Sequence, residues 1–167
     1  MEEVHYCREA SSVKVFSGVR EGLLALRAAG FRTVLVTNQS GIGRGLITPQ
    51  AYEAVHGRLL ELLGPETLDA AYMSPETPEQ PSLRRKPAPG MLLEAARDLH
   101  LDLQRSWMMG DKDIDIQCGV NAGVRSILVR TGHGASATGA GADYVAQDFA
   151  GAVRWLLEET PGVESKP

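Results

Sequence analysis

Apolar residues recur along most of this chain at helical spacing or in short β-branched runs, and the two patterns alternate. Leu23, Leu24, Leu26 and Phe31 mark a helix over about 19–29, with Gly30 placed to end it. Residues 33–36, Thr-Val-Leu-Val, then read as a strand that gives way to Thr37-Asn38-Gln39-Ser40 and a glycine-rich loop over 41–45. Thr48-Pro49 supplies an N-cap and a first helical residue for a helix to about Leu63, where Gly64-Pro65 breaks it. A weaker strand over 68–73 runs into a loop whose Pro75, Pro78 and Pro81 exclude regular ladder pairing. Pro89 opens a helix to about His100. A short strand over 106–109 ends in Gly110-Asp111, and a helix over about 114–122 leads through Gly123 to the strand 125–129. A small strand near Tyr144-Val145 precedes a last helix over about 149–157. Residues 13–16 are too short and too polar at their flanks to add a strand, and the Gly/Ala-rich stretch 132–142 reads as a mobile loop.

Strands alternating with helices through short loops imply an α/β fold: a Rossmann-like, three-layer α/β/α arrangement with a parallel sheet covered on both faces. Residues 1–167 are read as a single domain, without repeats or low-complexity tracts. In such sheets ligands sit outside the carboxyl ends of the strands, and Thr37, Asn38 and Asp111 all fall there.

Composition narrows the function classes. A chain of 167 residues with 43% hydrophobic and 23% charged residues is ordinary for one soluble domain. Its longest apolar runs are far below the roughly 18 residues a membrane helix needs, and no basic and apolar leader opens it. Cys7 and Cys118 are far apart and form no ligand-spaced pair, which points to a reducing compartment and to the cytoplasm. A net charge of −4 offers nothing general to nucleic acid, and no membrane partner is indicated. Arg84, Arg85 and Lys86 stand together in a loop, however, and could draw small anions to a confined site.

Phosphate ester hydrolysis needs a nucleophile, charge neutralisation on the transferring group, and protonation of the leaving oxygen. Thr37 and Asn38 can donate to phosphoryl oxygens, and Lys86 offers a point charge. Asp111 is a hard oxygen ligand suited to Mg²⁺, which Asp115 could orient from four residues on. The acidic run Asp111, Asp113, Asp115 also admits a phospho-acceptor role, as in signalling receiver domains.

Three ordered motifs carry a resemblance. Val-Thr-Asn-Gln-Ser-Gly-Ile-Gly-Arg-Gly at 36–45, Arg-Lys-Pro-Ala-Pro-Gly-Met at 85–91 and Met-Gly-Asp-Lys-Asp-Ile-Asp at 109–115 resemble the second, third and fourth motifs of the haloacid dehalogenase superfamily. Within it the chain is most similar to subfamily IIIA, the heptose bisphosphate and histidinol phosphate phosphatases. The resemblance implies a Mg²⁺-dependent phosphatase acting on a small phosphorylated sugar or alcohol as a monomer or homodimer. It gives Thr37 and Lys86 the phosphoryl group and Asp111 the Mg²⁺, and places Asn38, Gln39, Ser40, Arg85 and Lys112 against substrate, with Glu3 to Tyr6 as a further substrate-contacting stretch.

Two features of that family have no counterpart here. Its nucleophile and general acid form an Asp-x-Asp pair, continued by Gly-Thr, on a first strand in the middle of the sheet, whereas the first aspartate of this chain is Asp69. Asp111 and Asp113 repeat the spacing but run into a helix instead. Little or no turnover is therefore expected of the chain as it stands, and it reads as the remainder of a longer enzyme; an inactive phosphate-binding or regulatory module is the alternative. The strands ending at Thr37 and Gly110 would each lose a ladder partner, at about 1–3 kcal/mol for every buried unpaired backbone group. Secondly, the loop 74–84 lacks the Cys and His that hold structural zinc in heptose-type members, so no zinc is expected. His5, His56, His100 and His133 are scattered singly.

Overall fold

A computed structural model describes residues 7–160. Glu3 to Tyr6, expected against substrate, lie outside the described residues. In order, the elements are α1 (Val19–Ala28), β1 (Val34–Asn38), α2 (Ser40–Gly43), α3 (Pro49–Leu63), β2 (Ala70–Ser74), α4 (Gly90–Leu99), β3 (Trp107–Gly110), α5 (Asp113–Ala122), β4 (Arg125–Val129), β5 (Tyr144–Ala146) and α6 (Phe149–Glu159). Local chemistry sets the helix starts. Thr48 Oγ1 accepts the Ala51 N–H at 3.1 Å ahead of Pro49, and Asp148 Oδ1 accepts the Gly151 N–H at 2.7 Å.

The expected elements are present with bounds moved by at most two residues, and short helical turns are added between them. β1 runs two residues further than the β-branched run suggests, because Val34–Asn38 pairs residue by residue with β2, Ala70–Ser74. The same pairing moves β2 toward its carboxyl end. Residues 40–43, expected as loop, form the short helix α2, since Arg44 N–H returns to Ser40 O at 3.0 Å and Leu46 and Ile47 N–H both return to Gly41 O. Residues 13–16 form no strand.

The parallel sheet is divided in two, as the loss of a ladder partner by the strands ending at Thr37 and Gly110 implies. β1 pairs with β2, and β3-β4-β5 form a second sheet, both wholly parallel. Among the described residues no strand joins β1 to β3. A groove of about 760 Å³ runs between them, lined by consecutive residues of both strands, Val34–Val36 and Trp107–Gly110. Because residues of both parities line it, the groove follows the backbone edges rather than one face of either sheet. Thr33 O and Gln39 N–H bond on the β2 side, which turns the intervening Val34 and Val36 backbone groups toward the groove. The consequence shows in burial: β4 is buried over Ser126–Val129, whereas every residue of β1 is only half-buried.

The main core lies on the β4 side, where Ile127 and Val129 pack with Leu26 of α1 and Ala152, Val153 and Leu156 of α6. The β1 end is fastened by charge. Asp69 accepts from Arg32 Nη1 at 2.7 Å and Thr33 N–H at 2.8 Å, and it pairs with Arg27. Burial pushes its carboxyl up, but the Thr33 N–H, Arg32 and Arg27 more than offset this and hold it below the usual carboxylate range. A carboxyl depressed on folding stabilises above its unfolded pKa and loses that contribution as pH falls through its folded pKa. Asp69→Asn should therefore be less stable than the wild type at pH 7, with the gap closing below about pH 4; urea unfolding across pH 2–7 measures it, and a constant gap would refute the assignment.

Candidate active site

Thr37 and Asn38 end β1 and Asp111 follows β3, as the alternating pattern leads one to expect, and hydrogen bonds to Asn38 and Val36 with an ion pair to Asp115 bring Lys86 to the same place from its loop. Lys86 is the centre of the arrangement. Its Nζ donates to Val36 O at 2.9 Å and pairs with Asp115 Oδ1 at 2.8 Å, with 11% and 7% of the two side chains exposed. So little water leaves the ion pair strongly coupled. The ammonium thereby ties the groove edge of β1 to the start of α5.

Asn38 holds the same lysine from its backbone. Asn38 Nδ2 donates to Lys86 O at 2.9 Å and Lys86 N–H donates to Asn38 Oδ1 at 3.0 Å. Both ends of the amide are thus used in bringing Lys86 to the end of β1, a positioning role the sequence did not suggest. Gln39 Nε2 donates to Thr37 Oγ1 at 3.1 Å, and Ser40 opens α2 beside them. Arg85 is anchored through Nη1 to Glu76 O at 2.9 Å, while Ser82 Oγ accepts the N–H groups of Arg84 and Arg85. Lys112 is exposed at the N-cap of α5.

Asp115 is more than an outer support. Its second oxygen accepts the Lys112 N–H at 3.1 Å, capping α5 while the first meets Lys86. Its proximity to β3 requires glycine at 110: a Cβ there would lie 2.2 Å from Asp115 Cβ. Asp111 is half-buried, and its Oδ2 accepts the His133 N–H at 2.9 Å. A Cβ on Gly132, which sits at φ +61°, would stand 2.4 Å from that oxygen. Asp113 receives Thr138 N–H, Thr138 Oγ1–H and Gly139 N–H at 2.9–3.1 Å, and the two backbone donors hold its carboxyl below the usual range. The expected mobile loop is thus tied down: residues 132–135 form a 3₁₀ turn, and Arg130 Nη1 donates to Gly134 O and Ala137 O. These links join residues about twenty to twenty-six apart, and no local pattern announces them.

Cys118 lies close by and is buried, its thiol pushed up to about 11 by that burial against the opposing Lys86 charge. No group of three or more His, Cys, Asp or Glu able to hold a metal ion occurs among the described residues. No helix among them is long and apolar enough to cross a membrane.

Parallel strands delivering a threonine, a buried lysine and an acidic loop to one crevice define the class, and a family model described as HAD-hydrolase-like matches residues 83–152. The chain is 37% identical to the D-glycero-D-manno-heptose-1,7-bisphosphate 7-phosphatase of Thermosynechococcus vestitus, over 93% of this chain and 89% of that one. The enzyme of the same name from Chlorobaculum tepidum is 43% identical over 68% of this chain and 64% of its own length. Among solved structures, the D,D-heptose 1,7-bisphosphate phosphatase of B. bronchiseptica, complexed with magnesium and phosphate, superposes with a TM-score of 0.86 at 29% identity, covering 96% of this chain and 93% of that one. The chain belongs to the haloacid dehalogenase-like hydrolases, in their heptose bisphosphate phosphatase branch.

Proposed function

We propose that this chain serves Mg²⁺-dependent hydrolysis of a phosphate ester on a small phosphorylated sugar of the heptose 1,7-bisphosphate kind, in the cytoplasm. The observation that carries the reading is the buried Lys86 ammonium, held at the carboxyl end of β1 by Asn38, Val36 O and Asp115 and directed to the same crevice as Asp111. In this reading Lys86 and the Thr37 hydroxyl hold the transferring phosphoryl group, where fixed donors stabilise charge without reorganising. Asn38, Gln39, Ser40, Arg85 and Lys112 line the approach, and Arg85, anchored on Glu76 O, selects among substrates.

The donor set suits a hard cation. Asp111 keeps one carboxylate oxygen beyond the His133 contact, while both oxygens of Asp115 are engaged, so Asp111 is the ligand and Asp115 its support. Bound there, Mg²⁺ supplies neutralisation of the phosphoryl oxygens. The magnesium and phosphate held by the B. bronchiseptica enzyme support this.

Hydrolysis through an aspartyl-phosphate needs a carboxylate that attacks phosphorus and a proton for the departing alkoxide; water then releases phosphate from the acyl-phosphate. Asp69, the first aspartate of the sequence, is bound to Arg27, Arg32 and Thr33 at the opposite end of β1 from Thr37 and serves neither purpose. The nucleophile is read as a carboxylate presented from the groove between β1 and β3. Without it, turnover should fall by roughly 10⁴–10⁶.

The test compares phosphate release from D-glycero-D-manno-heptose 1,7-bisphosphate and from histidinol phosphate. It uses this chain alone and the same chain joined at its amino end to a strand ending in Asp-x-Asp-Gly-Thr. Turnover near the uncatalysed level from the first, and Mg²⁺-dependent release favouring the heptose from the second, is the expected result. A joined protein that binds phosphate without turnover would leave a phosphate-binding module in its place.

A further inference from the structure

Asp113 is not among the residues given a part in the chemistry, yet it accepts more hydrogen bonds from the 132–139 loop than any other side chain of the acidic turn. Thr138 N–H reaches its Oδ2 at 3.1 Å, and Thr138 Oγ1–H and Gly139 N–H reach its Oδ1 at 3.0 and 2.9 Å. The loop so held is the one whose His133 N–H occupies Asp111 Oδ2 at 2.9 Å. Arg130 Nη1 closes the same loop from within, on Gly134 O at 2.9 Å and Ala137 O at 2.7 Å. Gly132 leaves no room for the loop to carry a side chain there, since a Cβ would lie 2.4 Å from Asp111 Oδ2.

From this arrangement we infer that Asp113 is a positioning residue that sets cation choice at Asp111, by fastening the 132–139 loop so that His133 N–H keeps one Asp111 oxygen engaged. Only the other oxygen then faces the cation. The difference matters because Mg²⁺ demands compact octahedral geometry and uses one oxygen per carboxylate readily. Ca²⁺ takes more ligands at longer distances and gains from carboxylates that offer both oxygens. The latch therefore excludes the two-oxygen mode that would favour the larger ion. Partners of this kind, one bond removed from a ligand, commonly change metal affinity by about 10–100-fold. The inference rests on reading Asp111 as the cation ligand.

The measurement is titration of the ¹⁵N-labelled chain with Mg²⁺ and separately with Ca²⁺, following the amide resonance of Lys112 throughout and that of His133 in every variant that keeps it. Asp113→Ala should lower the Mg²⁺-over-Ca²⁺ affinity ratio by about tenfold. His133→Pro, which deletes the N–H on Asp111 and leaves Asp113 intact, should lower it similarly, because proline has no backbone donor. Thr138→Val should shift the ratio less, in the same direction. Asp113→Asn, whose carbonyl oxygen can still accept the two bonds now made to Oδ1, should restore most of the wild-type ratio. A purely structural role would weaken both cations alike. An unchanged ratio in Asp113→Ala or in His133→Pro overturns the inference while leaving Asp111 as ligand. A wild-type chain whose Lys112 and His133 resonances respond to neither cation overturns the reading of Asp111, and the inference with it.

Discussion

Asp115→Ala should cost the fold about 3–5 kcal/mol, because it strands the Lys86 ammonium in a setting where only 11% of that side chain is exposed. Lys86 would keep a single acceptor, Val36 O, and α5 would lose the carboxylate that caps it at Lys112 N–H. Against a typical total of about 5–15 kcal/mol this is a large share, and urea unfolding monitored by tryptophan fluorescence reads it directly. The pair itself need contribute little net stability, since removing both charges from water offsets much of their attraction. The double variant Lys86→Met/Asp115→Asn, which keeps an oxygen for the Lys112 N–H, should recover most of the lost stability while binding inorganic phosphate no better than background. A loss below about 1 kcal/mol in Asp115→Ala would show that water reaches the pair freely.

Gly110→Ala should be strongly damaging for a single added methyl. The added Cβ would lie 2.2 Å from Asp115 Cβ and 2.5 Å from Asp115 Oδ2. β3 cannot recede, because Gly110 is in register with Leu128 in the β3–β4 ladder. The start of α5 must move instead, carrying Asp111 and Asp115 away from Lys86. Overpacking of this kind costs about 3 kcal/mol, or roughly 6–12 °C in Tm for a chain of this size. Gly57→Ala is the control: nothing stands within 4 Å of its Cβ position in α3, so the better helix former should stabilise by about 0.5–1 kcal/mol. Equal melting temperatures for the two variants would refute the steric reading.

Much of this structure was legible in the sequence, because helices and strands leave periodic traces. Thr48-Pro49 and Gly64 bound α3, and the apolar run 125–129 delimits β4. What escaped depended on partners distant in sequence. β1 extends through Thr37 and Asn38 only because Met73 and Ser74 pair with them, and polarity alone marks those two residues as loop. The site was legible at the level of residue types. That Asn38 holds Lys86 from 48 residues away, or that Asp113 ties down Thr138, follows from the folded chain alone. The divided sheet was an expectation of the family resemblance rather than of any pattern between residues 7 and 160.

The groove between β1 and β3 has a direction. Asn38 and Gly110 both end their strands at the Lys86–Asp115 pair, so the two bordering edges run the same way and are parallel at every level. Such a socket is a vector. A segment entering in the same sense can satisfy both ladders at once, whereas one entering in reverse meets spacing made for the other polarity. Orientation thus decides delivery: whatever residue ends a correctly aligned segment arrives at the only buried ammonium among the described residues, and a reversed one would bring its opposite terminus there.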